Sequence, residues 1–145
     1  MPTGDDKKHG ISKRFTVTID GKDLGSWSKC EGLDVEFEPI EFKELGNSTS
    51  RWRYPGVAKY SPVTLTRACS ADESDELLAW LSLIRTKPVP GTADITLHDA
   101  WGGTVVSYTL VGVFPLKYQG PVLDTSGEGS IATERLLLSH NGFLD

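Results

Sequence analysis

The chain has 145 residues, which is the size of one domain. A domain of this length buries enough surface to fold without disulfides or metals. The formal net charge is −5, which argues against sequence-specific DNA or RNA binding, because such proteins need a positive field to neutralise phosphates. We expect residues 1–13 to form a flexible polar tail and residues 14–145 to form a single domain.

The first predicted strand begins at Phe15. Apolar Phe15, Val17 and Ile19 alternate with polar residues, and this period of two is typical of a half-buried strand. Asp20-Gly21 follows as a turn dipeptide. We therefore predict a strand that ends in a tight turn.

A longer strand is predicted over residues 33–42. Its apolar residues change parity at Glu38-Pro39. Because proline has no N–H to donate to a sheet ladder, we predict a bulge or bend there that lets both halves keep their apolar residues facing inward. The opposite edge of the strand is acidic, and the candidate residues on it are Asp34, Glu36, Glu38 and Glu41.

Residues 45–61 have no clean period and are predicted to be an irregular contact arm. An irregular segment of this length is usually functional or disordered, and disordered linkers are poor in aromatic residues. This segment is rich in Trp, Tyr and Arg, which are enriched at protein interfaces. The predicted contacts with another subunit are Arg51, Trp52, Arg53, Tyr54 and Tyr60.

One amphipathic helix of about 14 residues is predicted after Ser70. Ser70 and Glu73 form a capping box at its start. Acidic residues fill the first turns and basic residues the end, which matches the helix dipole. Pro88 and Pro90 end the helix.

The remaining residues are predicted to form strands over about 94–99, 104–117 and 129–140, with a hairpin turn at residues 100–103. The total is roughly six or seven strands with one packed helix. The predicted fold is mainly β, of the α+β type: a β-barrel or sandwich with one packed α-helix.

No catalytic site is predicted. Cys30 and Cys69 are far apart and lack a CxxC pattern, so we interpret them as buried free thiols. His98 lies on the polar parity of its strand and is predicted to be solvated. Ser139 and His140 are adjacent, but neighbours on a strand point to opposite faces. We expect that the protein is not an enzyme.

No cofactor or metal site is predicted either. Gly127, Gly129 and Ala132 fit GxGxxA, but they follow a polar loop and open a strand, whereas a dinucleotide site needs a strand before the motif and a helix after it. The cysteines and histidines lack the close pairing of a structural zinc site. The acidic strand has no calcium loop.

No targeting signal is predicted from the sequence either. The first residues lack the apolar core of a signal peptide, and no window approaches the roughly 20 apolar residues of a membrane helix. We expect the protein to be assembled in the cytoplasm without a signal peptide and to have no membrane-embedded segment.

Taken in order, the motifs of nearly the whole chain resemble those of one family. These motifs are FTVTIDG, GSWSKCEGLDVEFEPIEFKE, PGVAKYSPVTLTRA, DELLAWL, ITLHDAWGGTVVSYTLVGVFPLKYQGP and IATERLLLSHNGF. The chain is similar to the tail tube proteins of contractile phages and to their relatives, the inner tube proteins of extracellular contractile injection systems.

The resemblance implies a tail-tube-like fold that forms hexameric rings stacked into a hollow tube, inside a contractile sheath and between baseplate and cap proteins, with effector cargo in the lumen. It implies that residues 45–60 are the arm and that the lumen strands include 33–44 and either 105–117 or 129–140. The particle would be cytoplasmic, released outside the cell, or a virion tail. The family has no catalytic residues to transfer.

Three readings follow from these features. The first is an inner tube subunit of a contractile injection system, with the acidic edge of residues 34–41 as a candidate lumen surface. The second is a phage tail tube that conducts DNA. The third is a monomeric β-barrel that binds a ligand or peptide through Trp52 and Tyr54; an uncharacterised enzyme is a more remote alternative.

Overall fold

A computed structural model describes residues 14–43, 51–122 and 131–144. The predicted tail, residues 1–13, and residues 45–50 of the predicted contact arm lie outside the described residues. The described part holds nine strands and one helix. Their bounds are β1 (Arg14–Ile19), β2 (Lys22–Trp27), β3 (Lys29–Glu31), β4 (Val35–Lys43), β5 (Arg51–Tyr60), β6 (Val63–Ala68), α1 (Ala71–Thr86), β7 (Gly91–His98), β8 (Thr104–Gln119) and β9 (Thr133–Ser139).

Seven of these strands form one antiparallel sheet in the order β2-β1-β7-β8-β9-β6-β3. The long strand β8 pairs first with β7 and, from Phe114 onward, with β9, so it passes from one layer of the sheet to the other. The two edge strands, β2 and β3, are joined at Ser28, whose N–H donates to the carbonyl of Thr66 at 3.0 Å. The predicted mainly β fold with one helix is confirmed, as antiparallel sheets that do not close into a barrel within the described residues.

The core lies between the two layers of this folded sheet. Val17 and Ile19 of β1 are buried, as their alternation predicts, and Leu65 of β6 and Leu136 of β9 meet them from the other layer. Each such side chain contributes about 1.5–3 kcal/mol when it is removed from water. The predicted strands at residues 94–99, 104–117 and 129–140 are confirmed as β7, β8 and β9, within a few residues at each end.

Helix α1 covers one side of the core through Leu77 and Trp80. Ser70 is its N-cap, and the Ser70 hydroxyl accepts from the N–H of Glu73 at 3.4 Å. The predicted start of the helix is therefore confirmed. The Glu73 carboxylate differs from a capping-box partner, because it binds Arg67 at 3.0 Å.

A buried ionic network, which the sequence analysis did not identify, links α1 to the sheet. Arg67 on β6 donates from Nε to Glu134 of β9 at 2.8 Å and from Nη1 to the carbonyl of Leu24 at 2.5 Å. Its guanidinium also lies over the Trp27 ring, 4.0 Å from the centroid. Arg67 and Glu134 are both buried. The sequence feature that could have indicated this network is a charged residue at an inward-facing position of both β6 and β9.

Both oxygens of the Glu134 carboxylate accept hydrogen bonds. Besides Arg67, it accepts from the hydroxyls of Ser74 and Tyr118, each at 2.9 Å. A buried ion pair is tolerated when hydrogen bonds satisfy its remaining atoms. The network therefore ties β2, β6, β8, β9 and α1 together at one point.

Stability at high pH should depend on Tyr118. Its burial, its hydrogen bond to Glu134 and the charge of Glu134 raise the pKa of Tyr118 to about 12, from an ordinary value of 10.0. Because the folded chain holds this proton more tightly than the unfolded chain, the contribution is complete below pH 10 and is lost as the pH rises through 12. Urea midpoints measured across this window should fall more steeply for the wild-type chain than for Tyr118→Phe. Parallel curves would contradict the prediction.

The two cysteines and His98 are partly buried in the fold. Cys30 and Cys69 are free and half-buried, and burial, followed by the charge of Glu31, raises the pKa of Cys30 to about 11. The prediction that His98 is solvated is wrong: it is half-buried with Nε2 2.8 Å from the Thr16 hydroxyl. The cause is its position beside β1, whose Arg14 pairs directly with His98.

Candidate intersubunit arm

Strands β4 and β5 form a separate two-stranded sheet, which we call the β4–β5 hairpin. The prediction that residues 45–60 are irregular is wrong for Arg51–Tyr60, which is a regular strand paired along β4. The alternation of β5 is interrupted by Pro55 and by the bulge at Gly56-Val57, so its period of two does not run along the whole strand. A strand of nine residues such as β4 is about 30 Å long.

The predicted bulge at Glu38-Pro39 is confirmed, but its extra residue lies on the other strand. Phe37 pairs with Ala58, and Pro39 pairs with Pro55, so Gly56 and Val57 on β5 face Glu38 alone. A side chain at Gly56 has no room, because its Cβ would lie 2.3 Å from the Glu38 carbonyl oxygen and 3.2 Å from a side-chain carbon of Ile40. Glycine at position 56 therefore permits the bulge.

Because the extra residue of the bulge is on β5, successive side chains of β4 continue to alternate between the two faces of the hairpin. Apolar residues near the body and apolar residues near the free end consequently project from opposite faces. The base patch, near the body, consists of Val35, Phe37, Ala58 and Tyr60, and the tip patch consists of Ile40, Trp52, Tyr54 and Val57.

The prediction that both halves of residues 33–42 turn their apolar residues inward is therefore wrong. Phe37 is 50% exposed and Ile40 is 54% exposed. In the tip patch, Trp52 is 50% exposed and Val57 is 76% exposed. Exposed apolar surface concentrated on one element is a mark of an interaction site.

Each apolar patch has an ion pair behind it, on the opposite face. Lys59 binds Glu38 behind the base patch, and Arg53 Nε lies 2.6 Å from Glu41 Oε1 behind the tip patch. The hydrogen bond to Glu38, together with its charge, raises the pKa of Lys59. The hairpin thus carries apolar and charged surface on both faces, in opposite order along its length.

The predicted acidic edge is divided between the two faces. Asp34 and Glu36 are exposed, whereas Glu38 and Glu41 are paired with Lys59 and Arg53. Glu41 lies on the face opposite to Glu36, because the bulge does not reset β4. The prediction that all four acidic residues lie on one strand face is therefore wrong. Asp34 and Glu36 are exposed and, within the described residues, form no ion pair of the kind that Glu38 and Glu41 form.

The base of the hairpin is fixed to the C-terminal segment of its own chain. The Tyr60 ring packs edge-on against Phe143 and His140, with centroids 5.1 Å and 5.5 Å apart. His140 Nδ1 accepts from the N–H of Gly142 at 3.1 Å, and its Nε2 lies 2.9 Å from the Ser61 carbonyl. Tyr60 is thus an anchor of the hairpin. Nothing here brings Ser139 and His140 together as a catalytic pair.

The other predicted contact residues lie on the hairpin itself. Trp52, Arg53 and Tyr54 are exposed on β5. The side chain of Arg51 lies outside the described residues, although its backbone pairs with Lys43.

Other parts of the surface offer little chemistry. A groove of about 510 Å³ between α1 and the β1–β2 turn is lined mainly by apolar residues, and the carboxylate of Asp20 at its rim accepts from the N–H of Thr92. Within the described ranges, no three His, Cys, Asp or Glu side chains are grouped so that they could hold a metal ion. The one described helix is too short and too polar to cross a membrane.

Residues 12–144 match the profile of the family described as T4-like virus tail tube protein gp19. The chain belongs to this tail tube family. A comparison with curated protein sequences finds no match. The family assignment agrees with the resemblance carried by the sequence motifs.

Solved structures share the fold of this tail tube family member. The PVC sheath-tube complex of an extracellular contractile injection system, in the extended state, contains a chain with a TM-score of 0.73 and 20% identity, over 90% of this chain and 86% of that one. The tube-terminating cap of the anti-feeding prophage gives 0.68 and 21%, over 87% and 83%. Its baseplate, 6-fold symmetrised, gives 0.69 and 19%, over 98% and 93%. At these identities the likeness concerns the fold.

Proposed function

We propose that this chain is the structural inner tube subunit of a contractile injection system. In this proposal, subunits form hexameric rings that stack around a hollow lumen, and sheath contraction drives the stack through a target envelope. The observation that carries the proposal is the β4–β5 hairpin of a tail tube family member, on which the large apolar side chains of Phe37, Ile40, Trp52 and Val57 are half or more exposed. A two-stranded hairpin alone is marginal in water, so it needs other surfaces to pack against.

The relatives in fold support the proposed partners. They come from a sheath-tube complex, a tube-terminating cap and a 6-fold symmetrised baseplate. We assign the corresponding partners to this chain: further copies of itself, a contractile sheath protein, and cap and baseplate proteins. The role is structural rather than catalytic, and the assembled tube would pass from the cytoplasm into a released particle.

Effector cargo in the lumen is part of the same proposal. Among the described acidic residues of β4 and the preceding turn, Asp34 and Glu36 remain the candidates for the lumen wall, because Glu38 and Glu41 are paired with cations. Exposed carboxylates repel acidic cargo, so such cargo slides without sticking.

A tail tube of a contractile phage, conducting DNA, is the second candidate. The observation in its favour is the family description, which names T4-like viruses. The neighbouring genes distinguish the two. Capsid and terminase genes indicate a phage, whereas an ATPase gene and effector genes without a capsid gene indicate an injection system.

The proposed function is tested by the mass and shape of the purified full chain. Light scattering after size exclusion and negative-stain microscopy should show rings or tubes with a central hole. A chain that stays a 15.8 kDa monomer at high concentration would contradict the proposal and would favour a monomeric binding module.

A further inference from the structure

We infer that Asn141 is a modification site, at which the folded chain promotes its own deamidation. The backbone nitrogen of Gly142 attacks the side-chain amide of Asn141, and His140 is the base. The product is an aspartate or an isoaspartate at position 141. The inference goes beyond the proposed tube function and does not depend on it, because the three residues are consecutive in one chain.

The reacting atoms are close by covalent structure. A bond between the Gly142 nitrogen and Asn141 Cγ closes a succinimide ring, and a reaction within one molecule of this kind is favoured over one between molecules. Asn141 is exposed, and its side chain forms no hydrogen bond with the described residues. Its amide is therefore free to turn toward the nitrogen and open to water.

The base is placed and held in the required tautomer. His140 Nε2 lies 2.9 Å from the carbonyl of Ser61, and a carbonyl oxygen only accepts, so Nε2 carries the ring proton. Nδ1 consequently keeps its lone pair, and it accepts from the N–H of Gly142 at 3.1 Å. A nucleophile bonded to a base that a third group orients is the arrangement of an activated nucleophile.

The fold also requires glycine at the attacking position. The φ angle of Gly142 is +138°, which favours glycine, and a Cβ there would lie 2.7 Å from a ring carbon of Tyr60. Glycine has no side chain to shield its nitrogen from the Asn141 amide. The packing against Tyr60 therefore keeps the residue that is most reactive after an asparagine.

The reaction balances with one water molecule consumed and one ammonia released. The bond from the Gly142 nitrogen to Asn141 Cγ forms, and the bond from Cγ to Nδ2 breaks. The proton of the Gly142 N–H passes to His140 Nδ1 and then to the departing nitrogen, which leaves as ammonia. Water then opens the imide at Cγ to give aspartate, or at the main-chain carbonyl to give isoaspartate.

Isoaspartate alters a specific backbone contact. The N–H of Asn141 donates to the carbonyl of Val111 at 2.7 Å, and the N–H of Val111 donates to the carbonyl of Gly142 at 3.0 Å. These two bonds lie on either side of the linkage that isoaspartate lengthens by one methylene, so both cannot keep their geometry. Hydrogen exchange at the Val111 amide should become faster in the isoaspartyl chain.

The test compares the full-length chain with a synthetic peptide of residues 137–144 in the same neutral buffer. The peptide has the same His-Asn-Gly sequence but lacks the Ser61 carbonyl and the fold. Peptide mass spectrometry after timed incubation measures deamidation, and an isoaspartyl methyltransferase assay measures isoaspartate. Asn141 in the folded chain should react about tenfold faster or more, the lower range for a positioned base. An equal or slower rate in the folded chain would overturn the inference.

His140→Gln tests the base directly. Glutamine still offers an oxygen to the Gly142 N–H but cannot take its proton at neutral pH, so deamidation in the folded variant should fall to the rate of the peptide. His98→Gln is the matched control, because the His98 ring bonds Thr16 and not the reacting residues; it should keep the wild-type rate. Circular dichroism checks that both variants fold.

A folded His140→Gln chain that deamidates at the wild-type rate would show that His140 is not the base. If that variant does not fold, the comparison of the wild-type chain with the peptide still decides the inference. Neither readout depends on whether the chain forms tubes, so the proposed function and this inference fail separately.

Discussion

Arg67→Ala should lower the free energy of unfolding by about 3–5 kcal/mol, because it leaves a buried carboxylate without its charge partner. Glu134 has no exposed surface, and Arg67 Nε lies 2.8 Å from its Oε1. The substitution also removes the guanidinium from the Leu24 carbonyl and from the face of Trp27. Urea denaturation of the monomeric chain near pH 7, followed by circular dichroism, measures the change.

Lys29→Ala provides the control for this prediction. It breaks the pair between Lys29 and Glu31, whose side chains are 63% and 53% exposed, and exposed pairs are worth about 1 kcal/mol or less. Replacing Arg67 and Glu134 together by apolar residues of similar size should recover much of the loss, because no unpaired charge is left. An Arg67→Ala cost as small as that of Lys29→Ala would show that the buried pair does not form in solution.

Local patterns predicted the elements whose one side is buried. Ser70 and Glu73 are three residues apart, so the start of α1 could be read from the chain alone. Val17 and Ile19 alternate with polar residues because β1 has one face in the core. In both cases the contacts that determine the element lie within a few residues in sequence or on one face of the strand.

The hairpin could be predicted only in part. The change of parity at Glu38-Pro39 indicated a bulge, but the strand that holds the extra residue depends on the pairing with Gly56 and Val57, across the turn. Strand β5 itself was missed because the alternation of Trp52 and Tyr54 with arginines is interrupted after four residues by Pro55 and the bulge at Gly56-Val57. The sequence therefore indicated which segment forms the interaction element, but not which of its residues lie on each of the two faces.

The Arg67–Glu134 pair was missed for a different reason. Its members are 67 residues apart in sequence, and they meet only because β6 and β9 are neighbours in the sheet. Each occupies an inward-facing position, Arg67 beyond Leu65 and Glu134 before Leu136. A buried charge on one strand predicts that a partner exists, but the order of the strands decides which residue it is.

The largest effect on assembly is expected when the hairpin is removed and the body is kept. Glu36 and Lys59 pair directly across the two strands, so an Asn-Gly turn that joins them can replace residues 37–58. Tyr60 remains against Phe143 and His140, and the core cluster of the described residues takes no member from the removed segment.

The free energy of unfolding of the shortened chain should lie within about 1 kcal/mol of that of the wild-type monomer, because no core side chain is lost. The shortened chain should form no tubes in sedimentation and negative-stain microscopy, since the tip patch is gone and the base patch has lost Phe37 and Ala58. A matched control keeps the hairpin and changes Glu41 and Arg53 to Ser, which removes an exposed ion pair and leaves both patches intact. This control should assemble. Tubes formed by the shortened chain would mean that the strand edges of the body, and not the hairpin, hold the subunits together.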